Sequence, residues 1–245
     1  MTKLLQGRGK LVAEFFLIVI GVLAALAADT AFENRRDNEL EAEYLARLEV
    51  ELRSDVEAIK YRITFFNDVQ AFCDDVLNWL DSDAPVDQAT LLASFYAAEV
   101  WPFLPNRSTF ADLQNTGNIR LLDDIELRTG LSLYYNRADN SRSGWTPSEN
   151  FRGVIRGIIP TDVQALIRQN CPTTDSMDDR PTGFPACELP GVDYENVTQL
   201  FVRLKDDVGF RETLTYRHSE IGVMTYLLRQ QRKFGEQVLD VIAAQ

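Results

Sequence analysis

The chain of 245 residues contains a single histidine, His218, and three cysteines. This shortage excludes a metal centre built on several histidines. A Ser–His–acid triad would have to use the neighbours Ser219 and Glu220, but adjacent residues on a helix do not face one another. Paired aspartates such as Asp123–Asp124 are typical of helix caps and solvated faces. We therefore expect no metal, no cofactor and no enzymatic activity.

Positive charge is also scarce. The chain has 25 Lys and Arg residues against 37 Asp and Glu residues, so its net charge is -12. Nucleic-acid-binding proteins need basic surface to neutralise phosphates, and this composition excludes nucleic acid as a partner. It also disfavours a domain that lies flat on anionic lipid. An acidic domain of this kind favours solubility or a basic protein partner.

Glycine and proline are absent from Val22 to Ala84. From Leu40 to Leu80, apolar residues recur at steps of three or four, which is the period of an amphipathic helix. No segment alternates convincingly as a strand would. The sequence predicts an all-α fold, with one N-terminal transmembrane helix followed by a helical-bundle ectodomain with two long helices. The first long helix is expected to bend or break between Asp29 and Asn38, and the second runs from about Arg211 to Ala244.

Cap and turn residues divide the middle of the chain into shorter helices. Asp, Ser and Thr favour helix starts, while glycine and proline favour helix ends. The predicted helices run from Asp87 to about Val100, from Ser108 or Thr109 to Gly117, from Asp123 or Asp124 to about Arg142, from Thr146–Pro147 to about Gln169 with a split at Pro160, and from Tyr194 to Leu204.

One apolar run stands out, from Leu11 to Ala28, broken only by Glu14. Its eighteen residues cover about 27 Å as a helix, close to the thickness of the hydrocarbon core. The sequence predicts a transmembrane helix over 11–32. Residues 1–10 carry three basic side chains and no acid, which favours a cytoplasmic N-terminus and a helical periplasmic domain over 33–245. The alternative is a cleaved signal peptide, because Ala25-Leu26-Ala27 before Ala28 imitates a cleavage site.

Small residues share one side of this predicted helix with an acid. At 100° per residue, Gly21, Ala25 and Ala28 lie within about 40° of Glu14. Small residues let two membrane helices approach closely, and a carboxyl group can hydrogen-bond to a partner helix. This stripe predicts docking on another membrane subunit or on a second copy of the chain. The alternative is an ordinary lipid-facing helix with Glu14 among the headgroups.

Two cysteines, Cys171 and Cys187, bracket a polar segment that contains three prolines. A disulfide between them would close an irregular Cys loop, 170–192, and stabilise the protein by about 3 kcal/mol. Such a bridge indicates an oxidising compartment such as a periplasm. The alternative is two unrelated thiols. Cys73 lies in a helical pattern and is expected to be a buried, small apolar residue.

Large aromatic side chains concentrate in the middle third of the chain. They have three interpretations, namely the lining of a ligand pocket, a surface for a partner, or packing in the core. The residues in question are Trp101, Phe103, Phe110, Tyr134, Tyr135 and Trp145.

Two blocks of the chain resemble the DUF6090-type bacterial proteins. The first block contains AEFFLIVIGVLAALAADTAFENRRD and EYLARLEVELRSDVEAIK, and the second is STFADLQNTGNIRLLDD. Ala13 departs from the pattern, which usually has glycine there. The resemblance implies a single-pass protein of the bacterial inner membrane and supplies no activity. The matching residues are Glu14, Ile20, Gly21, Leu23, Ala25, Leu26, Phe32, Tyr44, Leu45, Leu48 and Leu52 in the first block, and Phe110, Leu113, Gly117 and Leu121 or Leu122 in the second.

These observations favour an accessory or scaffolding subunit of a bacterial membrane protein complex. Its partners would be membrane lipid and either other membrane subunits or itself. The runner-up is a periplasmic ligand-sensing domain that signals through a partner, since long helices in a bundle suit small-molecule sensors. An enzyme is the third hypothesis and rests only on carboxylates that no motif places together.

Overall fold

The structure is a computed structural model that describes residues 2–143, 149–173, 183, 184 and 186–245. For residues 2–14, 141–143, 149 and 150 it describes only the backbone. Throughout these ranges the regular structure is helical, with no strand, as the all-α prediction requires. The helices are α1 Thr2–Leu80, α2 Gln88–Ala97, α3 Ser108–Thr116, α4 Ile125–Ser143, α5 Glu149–Ile158, α6 Thr161–Asn170, α7 Tyr194–Phe201 and α8 Val208–Ala243, with 3-10 turns at Asn118–Leu121 and Val202–Leu204.

Helix α1 is continuous over 79 residues. The sequence predicts a bend or break between Asp29 and Asn38, and the predicted break is wrong, because the helix continues through these residues. The physical reason is visible in the sequence, because this stretch contains neither glycine nor proline, the usual causes of a sharp interruption. Charged residues continue the helix at little cost, since Glu and Arg are good helix formers. The ion pair between Arg35 and Glu39, at 3.0 Å, supports the helix across the same stretch.

The shorter helices begin and end close to where cap and turn residues predict. The Asp87 carboxylate accepts a hydrogen bond from the Thr90 amide at 2.8 Å, which caps α2. Gly117 ends α3 with φ of 75°, a left-handed conformation that favours glycine. Pro160 separates α5 from α6, as predicted. Helix α8 begins at Val208, earlier than predicted, because Asp207 caps it.

The chain forms two compact units. The first comprises Met1–Glu49 and Ser108–Ile125. Here α3 and its following 3-10 turn pack on α1 around Tyr44, whose hydroxyl donates to Asp112 and accepts from the Asn118 amide group. A small apolar core accompanies these hydrogen bonds and consists of Tyr44, Leu48, Phe110, Leu113, Leu121 and Leu122.

The second unit comprises Val50–Arg107 and Glu126–Gln245. The part of α1 from Val50 onward packs against α8, which runs in the opposite direction. Gln70 donates to the His218 carbonyl oxygen near the middle, and Asp81 pairs with Arg211 at the far end. A large apolar core fills the space between these helices, α2 and α5–α7. Burial of this core is the dominant favourable contribution to folding of the unit.

Candidate functional site

The most unusual surface of the molecule belongs to the N-terminal part of α1. Apart from Val19, the large apolar side chains from Phe15 to Phe32 are more than half exposed, and they surround the helix on every side. Such a continuous apolar surface is unfavourable in water, because burying each large apolar side chain would lower the free energy by about 1.5–3 kcal/mol. Within the described residues, α1 is the one helix long and apolar enough to cross a membrane, and its apolar stretch is entirely unburied. This helix supports a membrane-anchored protein.

The predicted packing stripe lies on this exposed stretch. Gly21, Ala25 and Ala28 are helical and exposed. A Cβ atom added at Gly21 would meet nothing within 4 Å, so the backbone is open to a neighbouring helix there. The Glu14 side chain lies outside the described residues, and only its helical backbone is placed. The stripe therefore remains a prediction, on a surface that is free to dock.

The aromatic residues of the middle third lie in the interior. Trp101, Phe103, Tyr134 and Tyr135 are all buried, and Tyr134 is completely inaccessible. A surface that docks a partner must be exposed, so the partner-surface interpretation does not fit these four residues, and core packing does. Trp145 lies outside the described residues.

Two of these tyrosines belong to a buried polar cluster that sequence reasoning missed. Asp55 on α1 is 4% exposed and accepts hydrogen bonds from the Asn106 amide and the Tyr134 hydroxyl, both at 3.0 Å. The Tyr135 hydroxyl donates to the Asn106 carbonyl oxygen at 3.1 Å. Burial raises the pKa of Asp55 to about 6, although both hydrogen bonds oppose the shift.

Arginines surround the C-terminal end of α2. Arg217 on α8 is buried, and its guanidinium donates to the carbonyl oxygens of Ala97 and Glu99 at 3.2 and 2.7 Å. It also pairs with Glu220 at 2.9 Å. Arg152 donates to a third carbonyl oxygen of this end. These bonds satisfy acceptors that a helix end leaves without partners, so the arginines have a structural role.

The single histidine lies beside an acidic side chain at the surface of α8. Its Nε2 atom lies 3.2 Å from Oδ1 of Asp74, and both side chains are partly exposed. Ser219 is on the exposed side of α8, and Glu220 is paired with Arg217. The side chains of residues 218, 219 and 220 therefore do not contact a common partner. This agrees with the expectation that they form no triad.

The two cysteines of the predicted loop lie at disulfide distance, with Cα atoms 5.5 Å apart. The Tyr96 hydroxyl donates to the Cys171 carbonyl oxygen at 3.4 Å. Phe184, from the described part of the loop, contacts the rings of Phe65, Phe72 and Tyr96 at centroid distances of 5.1, 4.8 and 4.7 Å. The cysteine pair joins residue 187 to the end of α6, and the aromatic contacts hold Phe184 against α1 and α2. Cys73 is buried, as expected for a small apolar residue.

The exposed side of α8 carries apolar residues that sequence reasoning did not single out. Tyr216, Val223 and Tyr226 are each more than half exposed. They lie opposite the buried residues Leu214 and Ile221, and the helical period would have revealed them. Exposed tyrosines on a rigid helix are common in protein interfaces.

A solvent-open cleft of about 290 Å³ lies between α6 and the start of α7. Its walls combine apolar side chains, including Val163, Leu166 and Val192, with Asp162 and Asp193. In the part of the chain that the structure describes, no group of three or more His, Cys, Asp or Glu side chains is placed to hold a metal ion.

Comparison with known proteins returns no matching family model, curated protein or solved structure. The resemblance to the DUF6090-type proteins therefore has no support beyond its residues and stays a prediction.

Proposed function

We propose that this protein is a non-catalytic accessory or scaffolding subunit of a bacterial membrane protein complex. It docks through the transmembrane helix at Glu14, Gly21, Ala25 and Ala28 and presents an acidic helical-bundle ectodomain, built on the two long helices α1 and α8. The observation that carries the proposal is the fully exposed apolar stretch of α1. A helix of this composition gains stability only by entering lipid and packing on other membrane helices.

The proposed topology places residues 1–10 in the cytoplasm and the ectodomain in the periplasm. The basic N-terminal flank supports this orientation, and the cysteine pair at disulfide distance supports an oxidising compartment. Protease protection in spheroplasts provides a test. Protease added to intact spheroplasts reaches only the outer face of the inner membrane, and it should digest the ectodomain. An ectodomain that is digested only after the membrane is permeabilised would show the opposite orientation.

The docking stripe is tested with two matched variants in mild detergent. Gly21→Leu places a bulky side chain on the stripe, where small residues allow close approach. Val19→Leu adds one methylene on the opposite side of the same helix. Co-purification followed by mass spectrometry should recover a membrane partner, or a second copy, with the wild type and Val19→Leu but not with Gly21→Leu. A strictly monomeric wild type, or a partner retained by Gly21→Leu, would reject docking through this stripe.

A ligand-sensing domain is the second candidate function. The cleft lined by Val163, Leu166, Val192, Asp162 and Asp193 favours it, because small ligands bind in concave sites with a few polar groups. A thermal-shift screen of small metabolites tests this candidate. Stabilisation that Leu166→Trp abolishes would support sensing, and a screen without any stabilising metabolite would contradict it.

A further inference from the structure

Three arginine side chains gather in the second unit, where α5 and α6 lie against the end of α2. Arg152 and Arg156 are one helical turn apart on α5, and Arg168 is near the end of α6. We infer that these three residues form a binding site for a small oxyanion, either a phosphate group or a carboxylate group. This arginine site goes beyond the proposed scaffolding role, and none of its residues lines the cleft between α6 and α7.

The local balance of charge is the first observation behind the arginine site. The chain as a whole has a net charge of -12. Here, within the part of the chain that the structure describes, Glu99 is the only acid that forms an ion pair with any of the three arginines. Arg152 and Arg156 are also four residues apart on one helix, a spacing at which like charges destabilise the helix. A bound anion would offset this repulsion.

The guanidinium groups of Arg156 and Arg168 are close enough to share one ligand. The Cζ atom of Arg156 lies 3.2 Å from the centroid of the Phe95 ring, and the Cζ atom of Arg168 lies 5.7 Å from the same centroid. The two Cζ atoms cannot be farther apart than the sum of these distances, about 9 Å. Charge-assisted hydrogen bonds are about 2.7–2.9 Å long, so one oxyanion held between two guanidinium groups separates their Cζ atoms by about 8 Å.

Arg156 has hydrogen-bond donors without acceptors. Its Nη2 atom donates to the Phe95 carbonyl oxygen at 3.3 Å and to the Glu99 carboxylate. Its Nε and Nη1 atoms are buried and have no hydrogen-bond partner among the described residues. Such buried donors are rare in proteins, and a bound ion is one of the explanations for them. The planar fork of a guanidinium group matches the oxygens of a phosphate or a carboxylate.

Arg152 and Arg168 supply further donors. Arg152 donates to the Ala98 carbonyl oxygen, and Arg168 donates to Oε1 of Gln164, both at 3.2 Å. Since a guanidinium group carries five N–H donors, each of these arginines has others to offer. Arg168 is exposed, so an anion in solution can approach from its side. The Arg156 side chain is only 15% exposed, and charge-assisted hydrogen bonds are stronger in such a setting than in open water.

The pKa of Arg156 agrees with this arrangement. Burial is the largest cause and lowers its pKa to about 10, while Glu99 opposes the shift and the charges of Arg152 and Arg168 add to it. The guanidinium group therefore stays charged at neutral pH and can pair with an anion.

Capping of α2 is the competing interpretation of these arginines. Arg152 and Arg156 both donate to carbonyl oxygens at the C-terminal end of that helix, as a cap would. Capping does not explain Arg168, whose hydrogen bond goes to Gln164 on its own helix, or the two donors of Arg156 that have no acceptor. Arg168 is therefore the residue that separates the two interpretations.

Calorimetric titration of the full-length protein in mild detergent tests the arginine site. The probes are inorganic phosphate and succinate, added at a constant ionic strength set with chloride. At least one probe should bind saturably at a single site. Binding of phosphate alone or of succinate alone identifies the group that the site accepts, and binding of both identifies a general oxyanion site. No saturable binding of either probe would overturn the inference.

Matched variants then place the binding on the arginines. Arg168→Gln removes the exposed charge, leaves the bonds to α2 in place and should weaken binding at least tenfold. Arg156→Lys keeps the charge but loses the planar fork, and it should weaken binding by a similar factor. Arg229→Gln removes an exposed charge from α8 and should leave the dissociation constant within twofold of the wild type.

The comparison between Arg168→Gln and Arg229→Gln stays decisive if Arg156→Lys folds poorly, because both residues are exposed. Wild-type affinity in Arg168→Gln would leave the arginines as caps of α2 and overturn the site. An equal loss of affinity in Arg229→Gln would show an effect of overall charge and overturn it as well.

Discussion

Replacing Arg217 with methionine is expected to destabilise the second unit severely. The guanidinium is 2% exposed and makes three hydrogen bonds, to the carbonyl oxygens of Ala97 and Glu99 and to the Glu220 carboxylate. Methionine fills a similar volume but donates nothing. It would leave a nearly buried carboxylate and two carbonyl groups without their donor.

The expected loss is about 4 kcal/mol, since breaking a buried ion pair from one side costs about 3–5 kcal/mol. Glu220→Gln should cost less, about 1–2 kcal/mol, because the amide oxygen still accepts from Arg217 and both carbonyl bonds remain. The double variant Arg217→Met/Glu220→Gln should be more stable than the two separate losses imply, because no carboxylate is then stranded.

Urea unfolding of the full-length protein in mild detergent, followed by tryptophan fluorescence, measures these differences. Arg229→Met is the matched control on the same helix, since Arg229 is exposed, and it should change the free energy of unfolding by less than about 0.5 kcal/mol. A loss below about 1 kcal/mol for Arg217→Met, or strict additivity in the double variant, would refute the reasoning.

Three further predictions concern single local features. Asp87→Ala removes the cap on the Thr90 amide and should cost about 1 kcal/mol in urea unfolding. Gly117→Ala forces a side chain to φ of 75° and should cost about 1–2 kcal/mol, whereas no loss would contradict a left-handed residue there. Reduction of the Cys171–Cys187 pair, sixteen residues apart in sequence, should cost about 3 kcal/mol, and a melting temperature indifferent to reductant would argue against the bridge.

Local patterns predicted the helices well because each signal acts on its own turn of the chain. Asp87 caps α2 through its side chain, whereas Gly117 ends α3 and Pro160 separates α5 from α6 through the backbone, and the structure places helix boundaries beside all three. The predicted break in α1 was wrong because it rested on a change in polarity and not on a residue that ends a helix. A change from apolar to charged residues alters what surrounds a helix, and by itself it does not interrupt the helix.

Burial was harder to predict, because it depends on contacts between distant segments. Asp55 meets Asn106 and Tyr134 across more than fifty residues of sequence, and nothing in the local pattern marks it as a buried acid. Aromatic composition alone likewise could not separate the buried Tyr134 from the exposed Tyr216. The helical period of α8 did contain that information, since Tyr216 lies opposite its apolar stripe.

Membrane fractionation of cells that express the full chain tests the central claim most directly. The protein should remain in the membrane pellet after washing with alkaline carbonate, detergent should release it, and N-terminal sequencing should find the apolar stretch 11–28 still attached. A protein recovered in the soluble fraction with an N-terminus near Ala28 would contradict a permanent membrane anchor and the docking role built on it.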